Sequence, residues 1–161
     1  MNAHLDPVWQ WRWDEGAAEA VTTFGIAARL LREFPDFVFN HNEAILYRWV
    51  QRYDPALFRA IQKRVRAGRW HISGGWYLQP DVNLPLIESI IRHIAEGRRF
   101  FAEHFDAHPT VAYNFDSFGH GGGQFHIGVA QVAHLPMGFD LPSHIDQHGR
   151  RDASPRQNRH R

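Results

Sequence analysis

Three short runs read as strands, and each opens into a polar or glycine-rich loop. They are Phe37-Val38-Phe39-Asn40 before His41-Asn42-Glu43, Trp70-His71-Ile72-Ser73 before Gly74-Gly75-Trp76-Tyr77, and Thr110-Val111-Ala112-Tyr113 before Asn114-Phe115-Asp116-Ser117. Helical stretches separate them. Short apolar strands alternating with helices predict an α/β fold with a parallel sheet buried on both faces. In such sheets ligands bind beyond the carboxyl ends of the strands. The informative polar residues are therefore Asn40 to Glu43, Ser73 to Tyr77 and Asp116 to His120. His4 to Trp9 reads as a fourth strand end. Its strand, Met1 to Ala3, is too short, which implies a natural chain that begins further upstream or a misplaced start.

The helices follow from spacing and punctuation. Ala17, Val21, Phe24, Ala28 and Leu31 form one amphipathic stripe, opened by the acids Asp14 and Glu15 and stopped by Pro35. A short helix is expected from Ala44 to Arg52. Asp54-Pro55 is an N-cap followed by proline at the first helical position; Phe58, Ile61 and Val65 are the buried face, and Gly68 closes the helix. Pro85 can open another helix with Ile87, Ile90, Ile94, Phe101 and Phe105 inward, slightly weakened by Gly97.

Composition removes whole classes of function. The 161 residues carry 43% hydrophobic residues and a formal charge of +1. That is the composition of a globular domain, with no electrostatic case for nucleic acid or a membrane surface. There is no cysteine, so any metal must use histidine, carboxylate or carbonyl ligands. No apolar run is long enough to span a bilayer, and no signal peptide is visible, so a cytoplasmic location is expected. Of the 18 basic residues only Lys63 is a lysine, which we read as a genomic bias.

Three groups of residues can carry chemistry. His4 and Asp6 form an H-x-D pair, and in an extended segment residues two apart share a face. One imidazole nitrogen and one carboxylate oxygen can then meet a single ion, a combination that zinc accepts. Taken alone, the pair equally describes a histidine hydrogen-bonded to a carboxylate. Asp116 lies between Phe115 and Phe118, just past a strand, where a carboxylate is costly unless paired or metal-bound. A helix N-cap would explain it as well. Tryptophans crowd the strand ends: Trp9 and Trp76 could stack on a sugar ring, whereas Trp11 and Trp13 read as packing residues. His41 and His71 flank strand ends and could be partners that orient ligands of the site, but read more readily as loop residues or satisfied histidines; His93, His104 and His108 read as helix-surface residues.

Three segments, in this order and spacing, resemble the class II α-mannosidases, family thirty-eight of the glycoside hydrolases. They are His4-Leu5-Asp6-Pro7-Val8-Trp9; Gly74-Gly75-Trp76-Tyr77-Leu78-Gln79-Pro80-Asp81-Val82-Asn83-Leu84-Pro85 with Glu88-Ser89 after it; and Asp116-Ser117-Phe118-Gly119-His120. The resemblance covers residues 1 to 123. It implies part of a seven-stranded β/α barrel with a zinc ion at the strand ends. By motif position His4 and Asp6 are zinc ligands, Asp116 is a third ligand and the catalytic nucleophile, and Trp9 lines the sugar site; Trp76 is a further substrate-binding candidate. The implied activity is zinc-dependent, retaining hydrolysis of terminal α-mannosyl linkages, with a mannose-containing oligosaccharide or glycoside as the partner.

The departures shape the expectation. After Gly121-Gly122-Gly123 the family continues into a helix of Leu-Pro-Gln-Ile-Leu type, whereas Gln124-Phe125-His126 follows here. Residues 124 to 161 hold no Glu, Lys, Trp or Tyr, show no strand–helix alternation, and read as a disordered or frameshifted tail. The resemblance places a fourth zinc ligand and the general acid beyond the matched region, so the acid has no assigned residue. The chain is then a truncated, N-terminal part of a catalytic domain, an open sheet with an exposed edge. Two other readings stay open. One is a catalytically inactive remnant. The other is a metal-dependent polysaccharide deacetylase, which would need a paired aspartate near the N-terminus and an H-x-x-x-H pair such as His104 to His108 or His144 to His148.

Overall fold

The computed structural model describes residues 3–81, 83–113 and 132–134. Along the chain run α1 (Trp13–Glu33), β1 (Phe39–His41), α2 (Ala44–Tyr53), α3 (Pro55–Arg66), β2 (Trp70–Ile72), α4 (Ile87–Phe105), β3 (Val111–Tyr113) and β4 (Val132–His134). β1 and β2 pair in parallel, Phe39 against Trp70 and His41 against Ile72. Their carboxyl ends therefore open on the same side. The α/β class stands.

The third strand departs from the expected arrangement. β3 is not laddered to β2 but pairs antiparallel with β4, Val111 against His134. Backbone groups in a strand need partners, and β4 supplies them from within residues 124 to 161, where the sequence shows no alternation. The end of β3 still meets the loop after β2: the buried Trp76 donates its indole N–H to the Tyr113 carbonyl at 2.7 Å.

Each helix follows its local chemistry. α1 buries Ala17, Ala20, Phe24, Ala27 and Leu31, a stripe centred slightly off the predicted one, with Val21 and Ala28 packed at its margin. At its end Arg69 donates to the carbonyls of Leu31 (2.8 Å), Phe34 (2.6 Å) and Phe37 (2.9 Å). α3 starts as predicted: the Asp54 carboxylate accepts from the Leu57 N–H at 2.9 Å, with Pro55 behind it. It closes at Gly68, whose φ of +67° suits glycine. α4 buries Ile90, Phe100, Phe101 and Phe105, while Ile87 at its first turn is exposed.

The core is aromatic. Phe24 meets Tyr47 at 4.9 Å and Trp70 at 5.2 Å between ring centroids, both edge-on, and Tyr47 meets Phe101 and Phe105, each at 5.3 Å. Edge-to-face pairs of this kind add to the burial itself. The polar atoms of its aromatic side chains are paired: the Trp70 indole N–H donates to the Tyr47 hydroxyl (2.9 Å), which donates to the His41 carbonyl (3.0 Å).

The loop Gly74–Tyr77 is the junction of the molecule. The first two N–H groups of α2 donate to its carbonyls, Ala44 to Trp76 (3.0 Å) and Ile45 to Tyr77 (2.9 Å). The Tyr77 N–H in turn donates to the His93 carbonyl of α4 at 2.9 Å. Such close approach to a helix requires Gly97. A Cβ there would lie 2.2 Å from the Gly75 carbonyl oxygen and 2.4 Å from the Trp76 carbonyl carbon. Gly97 is therefore a packing requirement rather than the mild helix weakness that propensity suggests.

Candidate functional site

The segment before α1 carries the H-x-D pair and lies along the core without joining the sheet. His4 Nε2 stands 3.3 Å from Asp6 Oδ1, with the two side chains 47% and 43% exposed. The two residues thus converge as their spacing predicts, in a position that solvent reaches. Contacts on either side hold the segment. Ahead of the pair, His41 Nε2 lies 2.8 Å from the Ala3 carbonyl oxygen. Behind it, the Trp11 indole N–H donates to the Asp6 carbonyl at 3.2 Å. Pro7 rests directly on α1 at Gly16, where a Cβ would lie 2.0 Å from the Pro7 carbonyl oxygen.

A row of buried polar side chains stands at the carboxyl end of β1: His41, Asn42 and Glu43. The His41 ring has a carbonyl oxygen at each nitrogen, Ala3 at Nε2 and Asn42 at Nδ1 (2.6 Å). Burial lowers its pKa, opposed by those two carbonyls and assisted by His4 nearby. Glu43 is 5% exposed, with a left-handed φ of +66°, and its Oε2 has no hydrogen-bond partner. Burial first, and the negative charge of Asp6 second, push its pKa up to about 8 against an opposing hydrogen bond from the Gln79 backbone. The Asn42 side-chain nitrogen is likewise buried without a partner.

The other candidates are placed as follows. Trp9, three residues after Asp6 in the chain, is 58% exposed. Trp76 is fully buried and serves as the bracket between the loop after β2 and Tyr113. Trp11, on the segment before α1, and Trp13, at the first position of α1, both expected to pack inside, are exposed. His93 is half-buried with Nδ1 unpartnered, while the His104 ring packs on Phe100 and Phe58. Asp116 lies outside the described residues. Among the described residues no three His, Asp or Glu side chains are grouped to hold an ion, and no helix is long and apolar enough to cross a membrane. Sequence reasoning passed over Glu43 as part of a polar loop. The available signal was an acid set directly between a strand end and an apolar helix.

Comparison with known proteins decides the family. The model of the glycosyl hydrolases family 38 N-terminal domain matches residues 1–139. The chain belongs to glycosyl hydrolase family 38. Among similar proteins, alpha-mannosidase G of Dictyostelium discoideum is 29% identical over 119 residues, and human alpha-mannosidase 2C1 is 28% identical over 119. Each alignment takes in 74% of this chain, which spans 11% of the length of these relatives. The fold is that of a family 38 member: an alpha-mannosidase from Enterococcus faecalis V583 superposes with a TM-score of 0.70 at 23% identity, over 78% of this chain and 14% of the other. The family-matched region of this chain contains all three motifs and therefore Asp116.

Proposed function

We propose that this chain carries the nucleophile-bearing, N-terminal part of a zinc-dependent, retaining α-mannosidase catalytic domain, with β1 and β2 as neighbouring strands of its β/α barrel. Family membership over residues 1–139 carries this reading. The donor set fits the metal: His4 and Asp6 offer an imidazole nitrogen and a carboxylate oxygen 3.3 Å apart, open to solvent and held from both sides. Asp116 would be the third ligand. A bound zinc would supply a Lewis-acidic hold on sugar hydroxyls.

The residues divide the work. Trp9, exposed and three residues after Asp6 in the chain, offers a face on which the apolar side of a mannose ring can rest. Asp116 attacks the anomeric carbon: its carboxylate oxygen forms the new bond as the bond to the leaving oxygen breaks. Water then displaces the aspartate from the resulting ester, restoring the carboxylate and the original anomeric configuration. No residue of the chain is assigned to protonate the leaving oxygen, a contribution worth about 10²–10⁴-fold. The substrate class is a glycoside with a terminal α-mannosyl unit.

The experiment isolates the nucleophile. A dinitrophenyl α-mannoside has a leaving group that needs no proton, so its cleavage tests Asp116 without the acid. Slow, zinc- or cobalt-dependent release that Asp116→Ala abolishes, with the α-anomer as first product, supports the proposal. Absence of release, or release that survives Asp116→Ala, overturns it.

A further inference from the structure

His41 is the buried titratable group that the proposed chemistry leaves unused, and its ring joins the sheet to the segment bearing the H-x-D pair. We infer that His41 is the positioning residue for His4 and Asp6: it holds the Ala3 carbonyl, one residue ahead of the pair, against the carboxyl end of β1. The inference rests on the metal reading of the pair and adds to it the residue that sets the pair's place.

Three observations carry it. First, the contact is direct and bridges distant parts of the chain: His41 Nε2 is 2.8 Å from the Ala3 oxygen, 38 residues away. Second, His41 itself cannot shift. Its ring is 2% exposed and lies 5.2 Å edge-on from Phe24, its carbonyl accepts from Tyr47, and its backbone is in register with Ile72 of β2. Third, Trp11 on the Asp6 carbonyl and Pro7 on Gly16 act at Asp6 or after it, while Ala3 and Leu5 pack on the core through their apolar side chains. The His41 contact is the polar anchor at Ala3, so removing it loosens His4 more than Asp6, which keeps Trp11 and Pro7 beside it. Partners that orient metal ligands in this way typically carry about 10–100-fold in metal affinity.

The test uses three substitutions of His41 in the full chain. Phenylalanine keeps the ring packing and removes both ring nitrogens. Asparagine keeps a donor near the reach of Nδ1. Glutamine carries its amide N–H₂ at about the reach of Nε2, and so can still donate to Ala3. Cobalt(II) titration, followed by its visible absorption, reads the pair; backbone amide exchange over residues 4–11 reads the segment, with the amides of α3 as an internal standard of folding. We expect His41→Phe and His41→Asn to weaken cobalt binding about tenfold or more and to speed exchange over 4–11 by a similar factor. In His41→Gln both should stay within about threefold of the parent chain, with α3 unchanged. Parent-like cobalt affinity in the phenylalanine and asparagine variants overturns the inference, and so does a glutamine variant as impaired as they are. If the phenylalanine variant does not fold, the contrast between asparagine and glutamine decides. A parent chain that takes no cobalt defeats the metal reading instead, and the exchange pattern then decides whether His41 holds the segment.

Discussion

Glu43 shows what one residue can cost. Its carboxyl has a pKa of about 8 in the fold against an ordinary 4.5, chiefly through burial. The protonated form is the one the fold tolerates, so stability is greatest below pH 4.5 as far as this group is concerned, and it falls as pH rises toward 8, where the folded chain must carry the charge. The full loss is on the order of 4 kcal/mol. Glu43→Gln keeps the size and removes the charge. Urea unfolding at pH 5 and pH 8 without metal should show the variant gaining about 3 kcal/mol on the parent chain between the two; a pH-independent difference would contradict this. Gly97→Ala should act in the opposite sense. Helix propensity favours alanine by about 1 kcal/mol, but its Cβ would press on the backbone of Gly75 and Trp76, and we expect a net loss of about 2–4 kcal/mol in the same assay. Neither effect is legible in the sequence. An acid in a polar loop and a glycine in a helix look ordinary until the fold brings Asp6 beside one and a loop against the other.

Elements were the more readable level, because their signals are local. Asp54-Pro55 and Gly68 mark α3 at both ends without any knowledge of the fold, and the cap is present as predicted. Asp54→Ala should cost about 1 kcal/mol by thermal unfolding. The end of α1 illustrates the opposite case. Pro35 announces the stop, but the carbonyls left over are satisfied by Arg69, which lies beyond β1, α2 and α3. Arginine's planar fork reaches three carbonyls at once, whereas a lysine ammonium is a single point. Arg69→Lys should therefore destabilise by about 1–2 kcal/mol despite the retained charge, measured as a shift in urea midpoint; an unchanged midpoint would show that the carbonyls find water instead. Strand pairing was illegible for a similar reason. Three-residue strands carry too little pattern to say which neighbour each will choose, so the parallel pairing of β1 with β2 followed from the alternation of elements while the β3–β4 ladder did not. The candidate site divides the same way: the meeting of His4 and Asp6 follows from spacing of two, and Trp76 as a buried bracket does not follow from any local signal.

The whole molecule leaves apolar groups in water near its candidate site and ahead of α4. Trp9, Trp13, Leu84 and Leu86 are all at least half exposed. Apolar surface of this kind favours association, and analytical ultracentrifugation should find the chain self-associating as its concentration rises from micromolar upward, more weakly for a Leu84→Ser, Leu86→Ser double variant. A single monomeric species over that range would contradict the expectation. The loop Gly74–Tyr77 has a consequence for the order in which the molecule is made. Its bonds reach back to Ala44 and forward to His93 and Tyr113, so a chain emerging from the ribosome cannot complete the junction until Tyr113 is out. The His4–Asp6 segment is made before β1 and β2, yet its hold waits on His41, and His41 waits on β2 for its register. Contacts this distant along the chain form slowly relative to helices. The His4–Asp6 pair is therefore synthesised before the strands that set it in place.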